Sequence, residues 1–192
     1  MPLLFFLLAL LSLTSETRYV TAGNADTAQN LLRVSCSRAR YRTLCVKSLS
    51  PLALSAKTPA DLARASVTVC LDRAQNASGF VSRLANIRNV SKREKAALQD
   101  CVEVLSDSVN ELRRTLSALQ HVRAGNFRWQ MSNAQTWVSA ALTDVDTCVD
   151  GFQSVSGVVK TALRKRMRHV ARVTSNTLYL INRAAAAHTG NR

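Results

Sequence analysis

Apolar residues recur at three- and four-residue steps along most of the chain, the spacing of one face of an α-helix. The first such run covers 61–89 and places Leu62, Ala65, Val69, Cys70, Ala74, Ala77, Phe80, Val81, Leu84 and Ile87 on one side. The second, 91–124, does the same with Leu98, Cys101, Val102, Leu105, Val109, Leu112, Leu116, Leu119 and Val122. The third, 132–151, aligns Ala134, Trp137, Val138, Ala141, Leu142, Val145, Cys148 and Val149. The fourth, 157–187, aligns Val159, Ala162, Leu163, Met167, Val170, Val173, Leu178, Leu180, Ile181 and Ala184. Local signals mark the ends. Thr58 followed by Pro59 suits an N-cap and first turn, and Ser91 with Glu94 reads as a capping box. Gly125-Asn126 reads as the stop of the second run. Strand signals are nearly absent.

Four amphipathic helices joined by short links predict an all-α fold, an up-down-up-down four-helix bundle. Residues 24–56 predict shorter helices ahead of it, an N-terminal helical hairpin that either packs on the bundle or reaches away. The expected organisation is a signal peptide over 1–22, the hairpin over 23–57 and the bundle over 58–192, with 23–192 forming one domain. The leader assignment rests on the apolar run Leu3–Leu13, too short to span a bilayer, and on small residues at Val20–Ala22 that suit cleavage before Gly23. No Lys or Arg precedes that run, and a short membrane anchor is the alternative. An exported protein, with no membrane attachment after cleavage, is the expectation.

Charge sharpens the picture. The 192 residues carry a formal net charge of +14. No acid follows Asp150, whereas Lys160, Arg164, Lys165, Arg166, Arg168, Arg172, Arg183 and Arg192 do. Between Asp26 and Asp61 there are only bases: Arg33, Arg38, Arg40, Arg42, Lys47 and Lys57. Both ends are basic and the middle is locally acidic. In an exported protein such ends suit weak binding to an acidic polymer, with nucleic acid a poorer fit; a plain solvated basic surface explains them equally well.

Five cysteines, Cys36, Cys45, Cys70, Cys101 and Cys148, leave one over if disulfides form after export. Spacing does not fix the pairing. A Cys36–Cys45 bridge suits a tight hairpin and is worth roughly 2–3 kcal/mol on chain-entropy arguments. A Cys70–Cys101 bridge staples two neighbouring helices, at roughly 3.5 kcal/mol. Cys148 then stays free on an apolar face. Zinc is a poor fit, because no C-x-x-C pair exists and His121, His169 and His188 are scattered.

Catalytic machinery is not visible: there is no H-E-x-x-H, no Gly-rich phosphate loop and no nucleophile elbow. "DVD" at Asp144–Asp146 faintly suggests a calcium loop but lacks the glycine and the bidentate glutamate. The acids instead line helix faces. Glu103, Asp107 and Glu111 fall four apart on the second helix, with Ser106 and Asn110 beside them. Thr143, Asp146, Thr147 and Asp150 share a face of the third. These faces read either as ordinary solvated surface paired with the many arginines or as an acidic surface that binds a partner.

Four stretches resemble one family. "VSCSRARYRTLCVKSLSP" is similar to its N-terminal hairpin, "ALQDCVEVLSDSVNELRRTLSAL" to its second bundle helix, "QTWVSAALTDVDTCVDGF" to its most recognisable motif and "VTSNTLYLI" to its C-terminal helix. The family is that of the plant invertase and pectin methylesterase inhibitors, and the resemblance covers roughly 24–183. It implies a four-helix bundle with a helical hairpin, disulfides Cys36–Cys45 and Cys70–Cys101 with Cys148 as the free thiol, no catalysis and no cofactor. It implies a secreted, apoplastic protein that forms a stoichiometric complex with a cell-wall enzyme. The region "HVRAGNFRWQMSN" lacks the Pro-Lys-Phe segment of the invertase inhibitors, while W-x-S-A-A-L-T…T-C-x-D-G-F is present in full. That favours the pectin methylesterase inhibitor branch, with inhibition of cell-wall or vacuolar invertase as the alternative. By matched position, Glu103, Asp107, Asn110, Thr147 and Asp150 are the expected enzyme-binding residues. Arg42 departs from the proline that the family commonly has after the hairpin tyrosine, an exchange expected to loosen that turn. The same domain also occurs as the pro-region of some pectin methylesterases; ending at Arg192, the chain reads as a stand-alone inhibitor.

Overall fold

The two capping signals start helices where the sequence places them. In the computed structural model, which describes residues 25–87, 90–155 and 157–189, Thr58 Oγ1 accepts from the Asp61 N–H and the Asp61 carboxylate accepts from the Thr58 N–H. Ser91 and Glu94 repeat the same exchange. Each pair satisfies two backbone donors that a helix otherwise leaves unpaired. The predicted signal peptide, 1–22, lies outside the described residues.

Among the described residues six α-helices follow in order. Helix α1 covers 25–36 and α2 Arg42–Leu49, and a 3-10 turn over Ser50–Ser55 leads to α3, Pro59–Ala85. Helix α4 is Lys92–Gln120, α5 Phe127–Asp150 and α6 Val158–Thr189. Among the described residues there is no strand. Helix α5 begins five residues before its expected start. Asn126 accepts from the Arg123 N–H, and the 3-10 turn Ala124–Asn126 winds straight into α5. Gly125-Asn126 therefore reverses the chain in one tight turn instead of opening a longer loop. At the other end, Phe152 folds back fully buried beneath α5, and Gly157, at φ +112°, opens α6 in a backbone region that favours glycine.

Around the bundle α3 lies beside α4, α4 beside α5, α5 beside α6 and α6 beside α3. The α3/α6 seam is thus on the opposite side from the α4/α5 seam. The apolar stripes meet in the middle: Leu62, Val67, Leu98, Leu105, Leu112, Val138, Leu163, Met167, Leu180 and Ile181 are fully or almost fully buried. Each buried aliphatic side chain of this size stabilises by about 1.5–3 kcal/mol.

The hairpin packs on the bundle. Helix α2 lies against α3 and α6, and Leu32, Cys36, Cys45 and Leu49 join the common core. A disulfide closes it between Cys36 and Cys45, whose Cα atoms are 5.8 Å apart. Arg42, in the place of a proline, does not leave the turn untethered. Buried Asn176 of α6 accepts from the Tyr41 N–H at 3.1 Å and donates to the Tyr41 carbonyl at 3.0 Å.

The second disulfide differs from the expected one. Cys101 pairs with Cys148, at a Cα–Cα distance of 4.5 Å, and Cys70 is the free thiol. Antiparallel neighbours explain why. Cys101 lies 19 residues before the end of α4 and Cys148 21 after the start of α5, so the two meet across the α4/α5 seam. Cys70 lies 15 residues before the end of α3, whereas Cys101 lies nine after the start of α4. That offset of about six residues is roughly 9 Å along the axis, beyond the reach of a disulfide. Cys70 instead faces α6, 3.1 Å from Thr174 Oγ1. Burial pushes its pKa up to about 11, so it is inert as a nucleophile.

Candidate functional site

Helix α4 turns Leu98, Cys101, Leu105 and Leu112 inward and leaves Glu103, Asp107 and Asn110 exposed. Helix α5 turns Val138, Ala141, Val145 and Cys148 inward and leaves Thr143, Asp146, Thr147 and Asp150 exposed. All five sequence-predicted binding residues, Glu103, Asp107, Asn110, Thr147 and Asp150, are on the surface.

Two contacts set the register of the seam. The Cys101–Cys148 bridge places Thr147 and Asp150 beside the N-terminal half of α4, near Glu103. Two turns further along α4, buried Ser108 donates to the Ala141 carbonyl at 3.0 Å. A hydroxyl so bonded allows close approach of the two backbones without a stranded polar group.

This approach creates a feature that the periodicity did not reveal. Asp144, half-buried on α5, has its pKa raised to about 6, first by burial and then by the charges of Asp107 and Glu111 across the seam. Glu111 is itself largely sheltered, its side chain 21% exposed, with one carboxylate oxygen buried and without a hydrogen-bond partner. Its other oxygen pairs with Arg114 at 3.4 Å. Among the described residues, Glu103, Asp107, Asp144, Asp146 and Asp150 form no salt bridge. Only Glu111 of this face pairs with an arginine among the described residues, which counts against its being ordinary salt-bridged surface. The signal for Asp144 was present in "ALTDVD", where it falls between the buried and the exposed stripes. Such a flank position becomes a site only when a neighbouring helix brings its own acids.

Several polar side chains are already engaged. Asn110 accepts from Arg113 at 3.2 Å, Thr147 donates to the Thr143 carbonyl at 2.9 Å and Asp150 accepts from Gln153 at 3.2 Å. The arrangement offers a rigid row of acceptors to a partner carrying cations or hydrogen-bond donors. It does not offer a calcium loop, because Asp144 and Asp146 lie inside a continuous helix. Among the described residues no group of three His, Cys, Asp or Glu is placed to hold a metal ion, and no helix is long and apolar enough to cross a membrane.

Comparison with known proteins extends this description. The sequence model of the plant invertase/pectin methylesterase inhibitor family matches residues 30–180. Pectinesterase inhibitor 3 of Arabidopsis thaliana is 46% identical over 184 residues, covering 92% of this chain and 90% of that protein. A 21 kDa protein of Daucus carota is 38% identical over 175 residues, 88% of this chain and 91% of its own length. The crystal structure of mutant form A of a pectin methylesterase inhibitor from Arabidopsis superposes with a TM-score of 0.64 at 19% identity. It covers 77% of this chain and 92% of the other, a likeness of fold.

Proposed function

The chain belongs to the plant invertase/pectin methylesterase inhibitor family, a family of non-catalytic inhibitors, and from that premise we propose that it inhibits a pectin methylesterase by a 1:1 non-covalent complex covering the pectin-binding cleft. The observation that carries this reading is the largely unpaired acidic face of α4 and α5, held by the Cys101–Cys148 bridge. Glu103, Asp107 and Asn110 on α4, with Thr147 and Asp150 on α5, are the contact residues. Basic or donor groups beside the enzyme's cleft supply the complement, and a pre-organised helix face meets them with little loss of side-chain or loop entropy. The protein then acts outside the cell, in the wall, where it limits removal of methyl esters from pectin.

Purified protein titrated against a pectin methylesterase and an acid invertase tests the proposal. The expected result is an esterase titration that ends near one inhibitor per enzyme, relieved by excess pectin, with the invertase unaffected. Loss of invertase activity alone would replace this reading with the invertase one.

A further inference from the structure

The basic segments at the two ends of the chain are far apart in sequence but meet in space, on the side away from the acidic face. A groove of about 850 Å³ runs between α3 and α6, lined by Arg73, Lys165, Arg166, Arg168, His169 and Arg172. A second, of about 410 Å³, lies at the hairpin elbow and is lined by Arg40, Arg42, His169 and Arg172 among others. His169 and Arg172 belong to both, so the two form one track. From Ala162 to Arg172 it follows α6 for roughly 15 Å before reaching the hairpin.

Three of the cations are held in place by rings without being neutralised. Arg166 stacks over Phe80, 4.6 Å from the ring centroid. Arg172 and Arg40 flank Tyr41 at 5.3 and 5.6 Å. An aromatic face orients a guanidinium and leaves its N–H fork free for carboxylates. Among the described residues, the one acid paired with a residue of the track is Asp72, 3.9 Å from Arg73 and also bonded by Asn76. His169, lowered by burial and then by Arg73, Arg166 and Arg172, adds a neutral donor or acceptor near neutral pH.

We infer that this track binds a linear polyuronate, a sugar chain carrying a carboxylate on successive residues. A small anion needs one pocket. Two joined grooves with seven cations, spread along a helix and round an elbow, suit a polymer with charges at regular intervals. The choice of polyuronate over other polyanions rests on the proposed target, since removing methyl esters from pectin exposes such carboxylates. The track lies opposite the α4/α5 face, so the protein holds polymer and enzyme together.

Binding is measured without any enzyme, by calorimetry with polygalacturonate at low salt, using the intact folded protein. Fully methyl-esterified pectin, duplex DNA and anionic phospholipid vesicles are the comparators. Polygalacturonate binds, esterified pectin does not, and binding is lost toward about 1 M salt, where the screening length falls to about 3 Å. Arg166→Gln with Arg168→Gln and Arg172→Gln weakens binding at least tenfold. Lys165→Gln with Arg168→Gln, two exposed positions with no stacking role, weakens it severalfold and guards against misfolding of the triple variant. Glu103→Lys with Asp107→Lys leaves it at least as strong. Absence of polygalacturonate binding, equal binding by both track variants, or tighter binding to DNA or vesicles at matched charge would overturn the inference. Enzyme inhibition is read separately, so its failure with polyuronate binding intact overturns only the inhibitor reading.

Discussion

The α4/α5 and α3/α6 seams solve the same packing problem with opposite charges and opposite fastenings. Both bring like charges together. On the acidic side Asp107, Glu111 and Asp144 face one another, and the helices are held by the Cys101–Cys148 disulfide and the Ser108–Ala141 hydrogen bond. On the basic side no covalent bond crosses. Thr177 donates to the Ser66 carbonyl at 3.2 Å, Cys70 meets Thr174 at 3.1 Å, and Asn176 clamps the hairpin. There the cations are spread over grooves and stacked on Phe80 and Tyr41. Carboxylates have short side chains and cannot move apart when helices approach. Arginines have long ones that lie along apolar surface with the charge in water. The acidic seam therefore gathers repulsion where a cross-link is most useful, and the basic seam does without one.

The comparison breaks most visibly at the cysteines. Replacing Cys101 and Cys148 together by Ser should cost about 4 kcal/mol, the chain-entropy value for a loop of this length, and lower the melting temperature by roughly 10 °C. Cys70→Ala should cost far less and leave both bridges intact. Thiol titration checks the assignment: one thiol, silent in the folded protein, reactive on unfolding and mapping to the peptide containing Cys70. A reactive thiol at Cys148 would contradict it.

On the basic side, Asn176→Ala strands the Tyr41 N–H and carbonyl. A loss of about 2–3 kcal/mol is expected in denaturant unfolding, with inhibition of the enzyme preserved. An unchanged midpoint would show that the hairpin does not need the clamp.

Next comes the acidic surface. Glu103→Lys with Asp107→Lys should weaken inhibition tenfold or more, about 1.4 kcal/mol in complex stability, with the helical circular dichroism unchanged. Undiminished inhibition by this variant removes the α4/α5 face as the interface.

The smallest effect is that of Asp144. Its pKa is raised to about 6 from the ordinary aspartate value of 3.8, so between these values the folded state binds more protons than the unfolded state. Stability therefore falls as pH rises from about 4 to 6, and no further change from this group follows above that range. Asp144→Asn should flatten this decline and raise the melting temperature by a few degrees at pH 7. A variant that melts lower than the parent at pH 7 would show that the carboxylate is not strained by its neighbours.

Most helix ends were legible because they depend on neighbours in sequence: Thr58 with Asp61, Ser91 with Glu94. Α-helical periodicity likewise separated Glu103 and Asp107 from Leu98 and Leu105 on α4. The start of α5 was missed because Asn126 bonds back to Arg123, a turn that the Gly-Asn pair leaves open. The five predicted contact residues are exposed as expected, but exposure is a property of one helix alone. Glu111 already stood in the acidic row of α4, and Asp144 joined them only through the seam.

The sequence by itself determined that this chain makes four amphipathic helices with a helical hairpin, because capping and periodicity are local. It also held the motifs that place the chain in its family. Only the tertiary structure decided which stripe meets which neighbour. That choice gave Cys101 to Cys148 and left Cys70 against Thr174, since a helix in a bundle touches two partners and its period does not say which cysteine faces either. It also gathered acids on one seam and drew the basic ends together on the other, because charge patterning becomes a surface only when helices pack side by side.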